Sequence, residues 1–174
     1  MIDGGSPQGD FSAGIEKYCY NYNNSYCASD GGLYQWHMAM ALPQSCDSSD
    51  CSGSINSPHQ GICPTGWHIP SDNDWHVLES GLSSGSCVAG RDGFDCDPAG
   101  TALEVGGGSG FNAIFAGAIV AGIYDWEGAG TYWWATYNPP GNSADSRSLT
   151  FMFTTIANTE RNRSQGISVR CLKD

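Results

Sequence analysis

Eight cysteines in a chain of 174 residues constrain the fold more than any other feature. Cys19 and Cys27, Cys46 and Cys51, and Cys87 and Cys96 are neighbours in sequence, and each pair closes a stretch rich in Asn, Ser, Asp or Gly. Cys63 and Cys171 remain, one ahead of an expected helix and one beside the C-terminus. Roughly a hundred complete pairings exist for eight cysteines. The set Cys19–Cys27, Cys46–Cys51, Cys87–Cys96 and Cys63–Cys171 has the lowest loop-closure cost for three bridges, and its fourth ties the chain end to the middle. Zinc is the rival reading. No Cys-x2-Cys spacing recurs, so disulfides and an oxidising, extracellular setting are expected.

The length suits one domain with a real core. Eighteen acids against seven bases give a formal net charge of -11, with only 14% of residues charged. Overall acidity argues against a nucleic-acid partner, because a basic face supplies most of that affinity. Five of the seven bases, Arg147, Arg161, Arg163, Arg170 and Lys173, fall near the C-terminus, which suggests a preference there for an acidic or glycan-bearing partner. No apolar run is long enough for a membrane span, so membrane insertion is not expected. The longest, Ile114–Tyr124, contains Gly117 and Gly122 and reads as buried strand. Met1-Ile2-Asp3-Gly4-Gly5 lacks the basic and apolar regions of a secretion leader, which implies a leader outside this sequence or another export route.

Residues 1–13 read as a flexible tail and 14–174 as the domain. Gly14–Tyr22 suggests a first strand, and Leu33, Trp36, His37 and Met40 have the spacing of an amphipathic helix. Ser71 is a natural N-cap with Asp74 three residues on, ahead of Trp75, Leu78 and Leu82, so a capped helix starts there. Ser83–Gly110 is a Gly- and Asp-rich insertion. Five strands are expected at 111–120, 121–126, 131–137, 148–155 and 167–172, giving an α+β domain. Within 136–164, 13 of 29 residues are Ser, Thr or Asn, while Leu149, Phe151 and Phe153 keep the period-2 spacing of a half-buried strand. A fixed apolar scaffold beside loosely constrained polar residues suggests a ligand-reading surface. Trp133 and Trp134 should point to opposite faces, one inward and one outward.

Glu16-Lys17-Tyr18-Cys19-Tyr20, Gly31-Gly32-Leu33-Tyr34-Gln35-Trp36, Gly61-Ile62-Cys63-Pro64-Thr65-Gly66-Trp67-His68-Ile69-Pro70-Ser71, Trp75 and Ser168-Val169-Arg170-Cys171 together resemble the Fibrobacter succinogenes major paralogous domain. That family is similar in turn to C-type-lectin-like folds and to the formylglycine-generating sulfatase-modifying enzymes. Trp133-Trp134, the polar tract and the Gly166-x-Ser168-Val169-Arg170-Cys171 finish look like variable proteins of diversity-generating retroelements. The resemblance implies a C-type-lectin-like fold that displays a variable region of about 132–171 to a macromolecular surface ligand, protein or glycan, from a cell surface or virion.

The expected site has three parts. Trp134, Thr136, Tyr137 and Asn138 form one side, and Asn142, Ser143, Asp145, Ser146, Arg147 and Ser148 form an adjoining loop. Thr150, Met152, Thr154, Asn158, Thr159, Asn162 and Ser164 complete it. Tyr, Trp, Ser, Asn and Arg on short loops are the mixture of antibody-type paratopes. Such outward positions should tolerate change at under about 0.5 kcal/mol each. Trp67, Trp75 and Phe151, read as core, should cost roughly 3–5 kcal/mol when cut to Ala.

Catalysis is not expected. The sulfatase-modifying enzymes need reactive cysteine in their C-terminal part, where this chain has only Cys171 after Cys96, and Cys171 has a bridge partner in Cys63. His37, His59, His68 and His76 are scattered, and no cofactor motif is present. Asp92, Asp95 and Asp97 on a Gly-rich loop are weak calcium candidates, although the spacing is not that of an EF-hand.

Overall fold

The computed structural model describes residues 16–137 and 139–174. The expected tail at 1–13 lies outside the described residues. All four disulfides pair as the loop-closure argument expected: Cys19–Cys27, Cys46–Cys51, Cys63–Cys171 and Cys87–Cys96.

The expected first strand is, in its described part, a single bridge between Tyr18 and Leu33 followed by a 3-10 turn. Two short helices come next, α1 (Asn24–Ser29) and α2 (Trp36–Ala39). Strand β1 (Trp67–His68) leads into α3 (Asp72–Leu82), the longest helix. The Ser71 side chain accepts from the Asp74 backbone N–H while Asp74 accepts from the Ser71 N–H, so the capping box forms as read. After β2 (Gly93–Asp95) and α4 (Ala99–Leu103) come β3 (Ala116–Val120), β4 (Ile123–Glu127), β5 (Gly130–Trp134), β6 (Ser143–Thr150) and β7 (Ile156–Asn162). β8 (Leu172–Lys173) pairs antiparallel with β1. Cys63–Cys171 closes near that pair, 108 residues apart in sequence.

The main sheet has the order β2-β7-β6-β5-β3-β4. Its neighbours are antiparallel except β3 and β5, which are parallel. Gly117 in β3 holds φ at +69°, and a Cβ there would meet the backbones of Asp125 and Glu127 on β4, so only glycine fits.

Both faces of this sheet are covered. Tyr132, Trp134 and Ala144 face one core with Trp36, Met40, Ile69 and Ile167. Trp133, Ala135, Leu149 and Ile156 face a second core with Trp75, Ala99 and Leu103. This corrects the expectation of one exposed Trp, since Trp133 and Trp134 are both buried. Alternation does put them on opposite faces, but each face has its own core.

Two further corrections follow. The stretch expected as a loop at 142–148 is most of β6, and 156–162, not expected as strand, is β7. The expected strand 148–155 ends at Thr150 and gives way to a turn, where Phe151 is 65% exposed and Phe153 stacks on the exposed Phe94 at 4.6 Å between ring centroids. Trp67 is also partly exposed. Of the three residues read as core, only Trp75 is. Trp75→Ala should therefore cost about 3–5 kcal/mol by urea denaturation, and Phe151→Ala should stay within about 0.5 kcal/mol of the parent. Comparable losses at both positions would contradict this packing.

Candidate functional site

The polar tract divides into scaffold and rim. Trp134, Thr136, Ser146, Arg147, Ser148, Thr150 and Asn158 are buried, and Asp145 is only 9% exposed. Ser143, Thr159, Asn162 and Ser164 are half-buried, and Tyr137, Asn142, Met152 and Thr154 are exposed. Asn138 lies outside the described residues. The expectation that all these side chains are solvent-facing is thus overturned for the seven buried ones. The physical reason is that β5, β6 and β7 are interior strands of a sheet covered on both faces.

Arg147 is the clearest case. Its Nε donates to Glu79 Oε1 at 2.7 Å, Nη1 donates to Asn158 Oδ1 at 2.6 Å, and Nη2 reaches the Asp72 carboxylate. The other Glu79 oxygen accepts from Arg91 Nη1 at 2.7 Å, and Arg91 Nη2 donates to the Ile156 carbonyl. Asn158 Nδ2 closes the set by donating to the Arg91 carbonyl at 2.9 Å. Helix α3, strands β6 and β7 and the Cys87–Cys96 loop therefore meet at one buried carboxylate. Ser146 Oγ donates to the Thr159 carbonyl, and Trp134 Nε1 to the Tyr34 carbonyl, so these too serve the fold.

Two more of the C-terminal bases are also occupied. Arg163 is fully buried and donates to the carbonyls of Ser143, Cys46, Ser49 and Pro139, while Arg161 lies 3.8 Å over the Tyr132 ring. Arg147, Arg161 and Arg163 are thus withdrawn from the expected basic surface, while Arg170 and Lys173 stay exposed.

An open groove of about 850 Å³ remains, lined by Asp72, Gly90, Arg91, Asp92, Tyr137, Asp145, Asn158, Thr159 and Glu160. It joins four of the expected site residues, Tyr137, Asp145, Asn158 and Thr159. Ser143 and Asn162 pair two positions beyond Asp145 and Glu160 on β6 and β7, with Ala144 and Arg161 between. Met152 and Thr154 lie past the other end of β6 and do not line the groove.

The groove is acidic. Asp145 and Glu160 are direct cross-strand partners, an unfavourable placement for like charges. Burial pushes the Asp145 carboxyl up from 3.8 to about 6, the Asp72 charge adds to this, Arg147 opposes it, and Glu160 and Asp92 contribute further upward. Sequence reading missed Asp72, Arg91, Glu160 and Glu79 as parts of this region. Glu79 did leave a signal: it lies four residues after Trp75 and three before Leu82, an acid within the apolar stripe of α3, which calls for a buried cation.

The calcium candidates separate. Asp92 lines the groove, Asp95 accepts from the Val88 N–H, and Asp97 accepts from the Thr154 hydroxyl. Among the described residues, the only three His, Cys or acidic side chains with ligand atoms within 4.8 Å of one another are His76, Glu79 and Cys87. Cys87 is in a disulfide and Glu79 holds two arginines, so that group is no ligand set. His37, His59 and His68 are engaged separately with Asp47, the Met40 carbonyl and Asp174.

Four disulfides brace an α+β domain suited to an oxidising, extracellular setting, and no helix among the described residues is long and apolar enough to cross a membrane. The chain belongs to the Fibrobacter succinogenes major domain family, whose model matches residues 8–173. No curated protein and no solved structure matches it.

The groove makes a pH prediction. Because the folded-state value of Asp145 is raised, its ionisation destabilises the fold; the penalty is absent below about pH 4 and complete above about pH 6. Asp145→Asn should be more stable than the parent at pH 7, by on the order of 2 kcal/mol, with the difference vanishing near pH 4. Urea denaturation at the two pH values checks this, and a pH-independent difference would contradict it.

Proposed function

We propose that this domain is an extracellular binding module, displayed at a cell surface or virion, that engages a macromolecular ligand through the groove beside β6 and β7. The observation that carries the reading is the meeting, at one open depression, of an exposed aromatic side chain, Tyr137, with polar groups from α3, β6, β7 and the Cys87–Cys96 loop. A rigid aromatic beside adaptable hydrogen-bonding groups is a binding composition. All eight cysteines are in disulfides, so the thiol chemistry of the sulfatase-modifying enzymes has no free thiol to use. Binding is the better reading.

The scaffold we propose is C-type-lectin-like, on the strength of the motif resemblance. Diversification of the retroelement kind is part of the proposal in a reduced form. The positions able to vary cheaply are Tyr137, Asn142, Ser143, Met152, Thr154, Thr159, Asn162 and Ser164, which are exposed or half-buried. Arg147, Ser146 and Asn158 belong to the framework and should be constant. The Arg147 network also favours a second reading, a non-diversified adhesive module, because it removes two polar residues, Arg147 and Asn158, from the variable set. Related gene copies that differ only at the eight rim positions support the first reading; differences spread evenly, or none in 132–171, support the second.

Binding itself is tested by probing an array of purified surface proteins and glycans with the labelled domain. At least one target should bind saturably. Tyr137→Ala should weaken that binding about ten-fold or more, as expected for loss of an aromatic anchor, while Met152→Ala, away from the groove, should leave it unchanged. Binders indifferent to Tyr137→Ala would contradict the site.

A further inference from the structure

Asp145 is 9% exposed and lines the groove. Among the described residues, no hydrogen-bond donor and no ion-pair partner contacts it. Arg147, next-but-one on the same strand, is committed to Glu79, Asn158 and Asp72, and Arg91 to Glu79 and the Ile156 carbonyl. Its cross-strand partner is another acid, Glu160, and Asp72 and Asp92 line the same groove. A buried carboxylate in such company carries a desolvation cost that a partner's cation would relieve.

We propose that the groove receives a lysine or arginine side chain of a partner protein, whose cationic head sits on Asp145 with Glu160 beside it. This rests on the binding reading above and names the chemistry of its ligand. The carrier follows from depth. A residue this nearly buried is reached by a slender, long-stemmed cation, whereas an ammonium fixed directly to a sugar ring approaches with the ring's full width. A bare divalent ion fits less well. Calcium takes six to eight oxygens at about 2.3–2.6 Å, and no three of the groove's acidic side chains bring ligand atoms within 4.8 Å of one another. An ammonium with three donors, or a guanidinium with five, spans dispersed acceptors. Tyr137 adds an aromatic ring at the same groove for the cation or its stem.

The attraction depends on Asp145 being ionised. The charged groups around it are Asp72 from α3, Arg147 from β6, Glu160 from β7, and Arg91 and Asp92 from the loop before β2. Asp145 gains its proton as pH falls through about 6, and lysine stays charged throughout that range. Affinity should therefore fall between pH 7.5 and pH 5.

The test follows the amide NMR spectrum of the whole domain during titration with the peptide acetyl-Gly-Lys-Gly-amide, its arginine counterpart, its Nε-acetyl-lysine counterpart and glucosamine. Saturable shifts around Tyr137, Asp145, Thr159 and Glu160 are expected with the lysine or arginine peptide. They should be roughly ten-fold weaker or absent with the acetylated peptide and with glucosamine, and roughly ten-fold weaker at pH 5. Asp145→Asn, expected to fold at least as well as the parent, should lose the shifts, and Glu160→Gln should weaken them. Equal response to the lysine and acetyl-lysine peptides, indifference to Asp145→Asn, or glucosamine binding as well as the lysine peptide would each overturn the inference. An array target that depends on Tyr137 but not on Asp145 or on the partner's lysines and arginines would leave the binding reading standing and sink this one alone. If no array target and no peptide binds at the groove, both fall.

Discussion

One buried carboxylate organises the functional end of this molecule. Glu79 is fully buried on α3 and receives a guanidinium nitrogen from Arg147 on β6 and another from Arg91 in the Cys87–Cys96 loop. Charges this far from water are tolerable only when their donors and acceptors are matched, and removing one partner leaves an uncompensated charge in the interior. The network therefore fixes how the helix, the sheet and the disulfide loop meet. It also fixes what is left over. Because Arg147 and Arg91 are spent on Glu79, Asp72 and Asn158, neither is available to the Asp145 carboxylate, and the groove keeps its negative character.

The same constraint separates framework from rim. Ser146, Arg147 and Asn158 share the composition of a binding surface but hold strands and loops together. Arg163 does the same elsewhere in the domain, collecting carbonyls from the Cys46–Cys51 loop, from Pro139 and from Ser143 at the start of β6, with its guanidinium 4.9 Å from the Trp36 ring. A side chain with five donors can satisfy several loop carbonyls at once, which suits a domain with so little regular structure. Polarity along the tract is thus shared between two duties, and only the exposed and half-buried members, with Asp145 at the groove, are open to a partner.

Several parts of this were legible in the sequence. The disulfide set followed from loop closure, because three bridges were local and the last two cysteines had only each other. The Ser71–Asp74 capping box placed the start of α3 correctly, since its signal is carried within four residues. What stayed hidden depended on tertiary context. Period-2 spacing at Leu149, Phe151 and Phe153 suggests a strand with one wet face, but both faces of β6 are buried and the strand ends at Thr150, which leaves Phe151 exposed in the following turn. Arg147 reads as a surface base unless Glu79 is recognised as an acid on an apolar stripe. Four residues of the groove, Tyr137, Asp145, Asn158 and Thr159, are legible as site candidates in the sequence, and its acidity is not, because Asp72, Asp92 and Glu160 come from three separate stretches of chain.

The central claim is that Arg147 and Glu79 act as a coupled pair inside the fold, not as independent polar residues. A double-mutant cycle with Arg147→Met, Glu79→Gln and the double variant, read as unfolding free energies in urea, tests it most directly. The account predicts a coupling energy of about 1.5 kcal/mol or more, with the double variant losing clearly less than the two single losses combined. Additive losses, with coupling within about 0.3 kcal/mol of zero, would contradict it and return Arg147 to the solvent-facing role that its sequence context suggests.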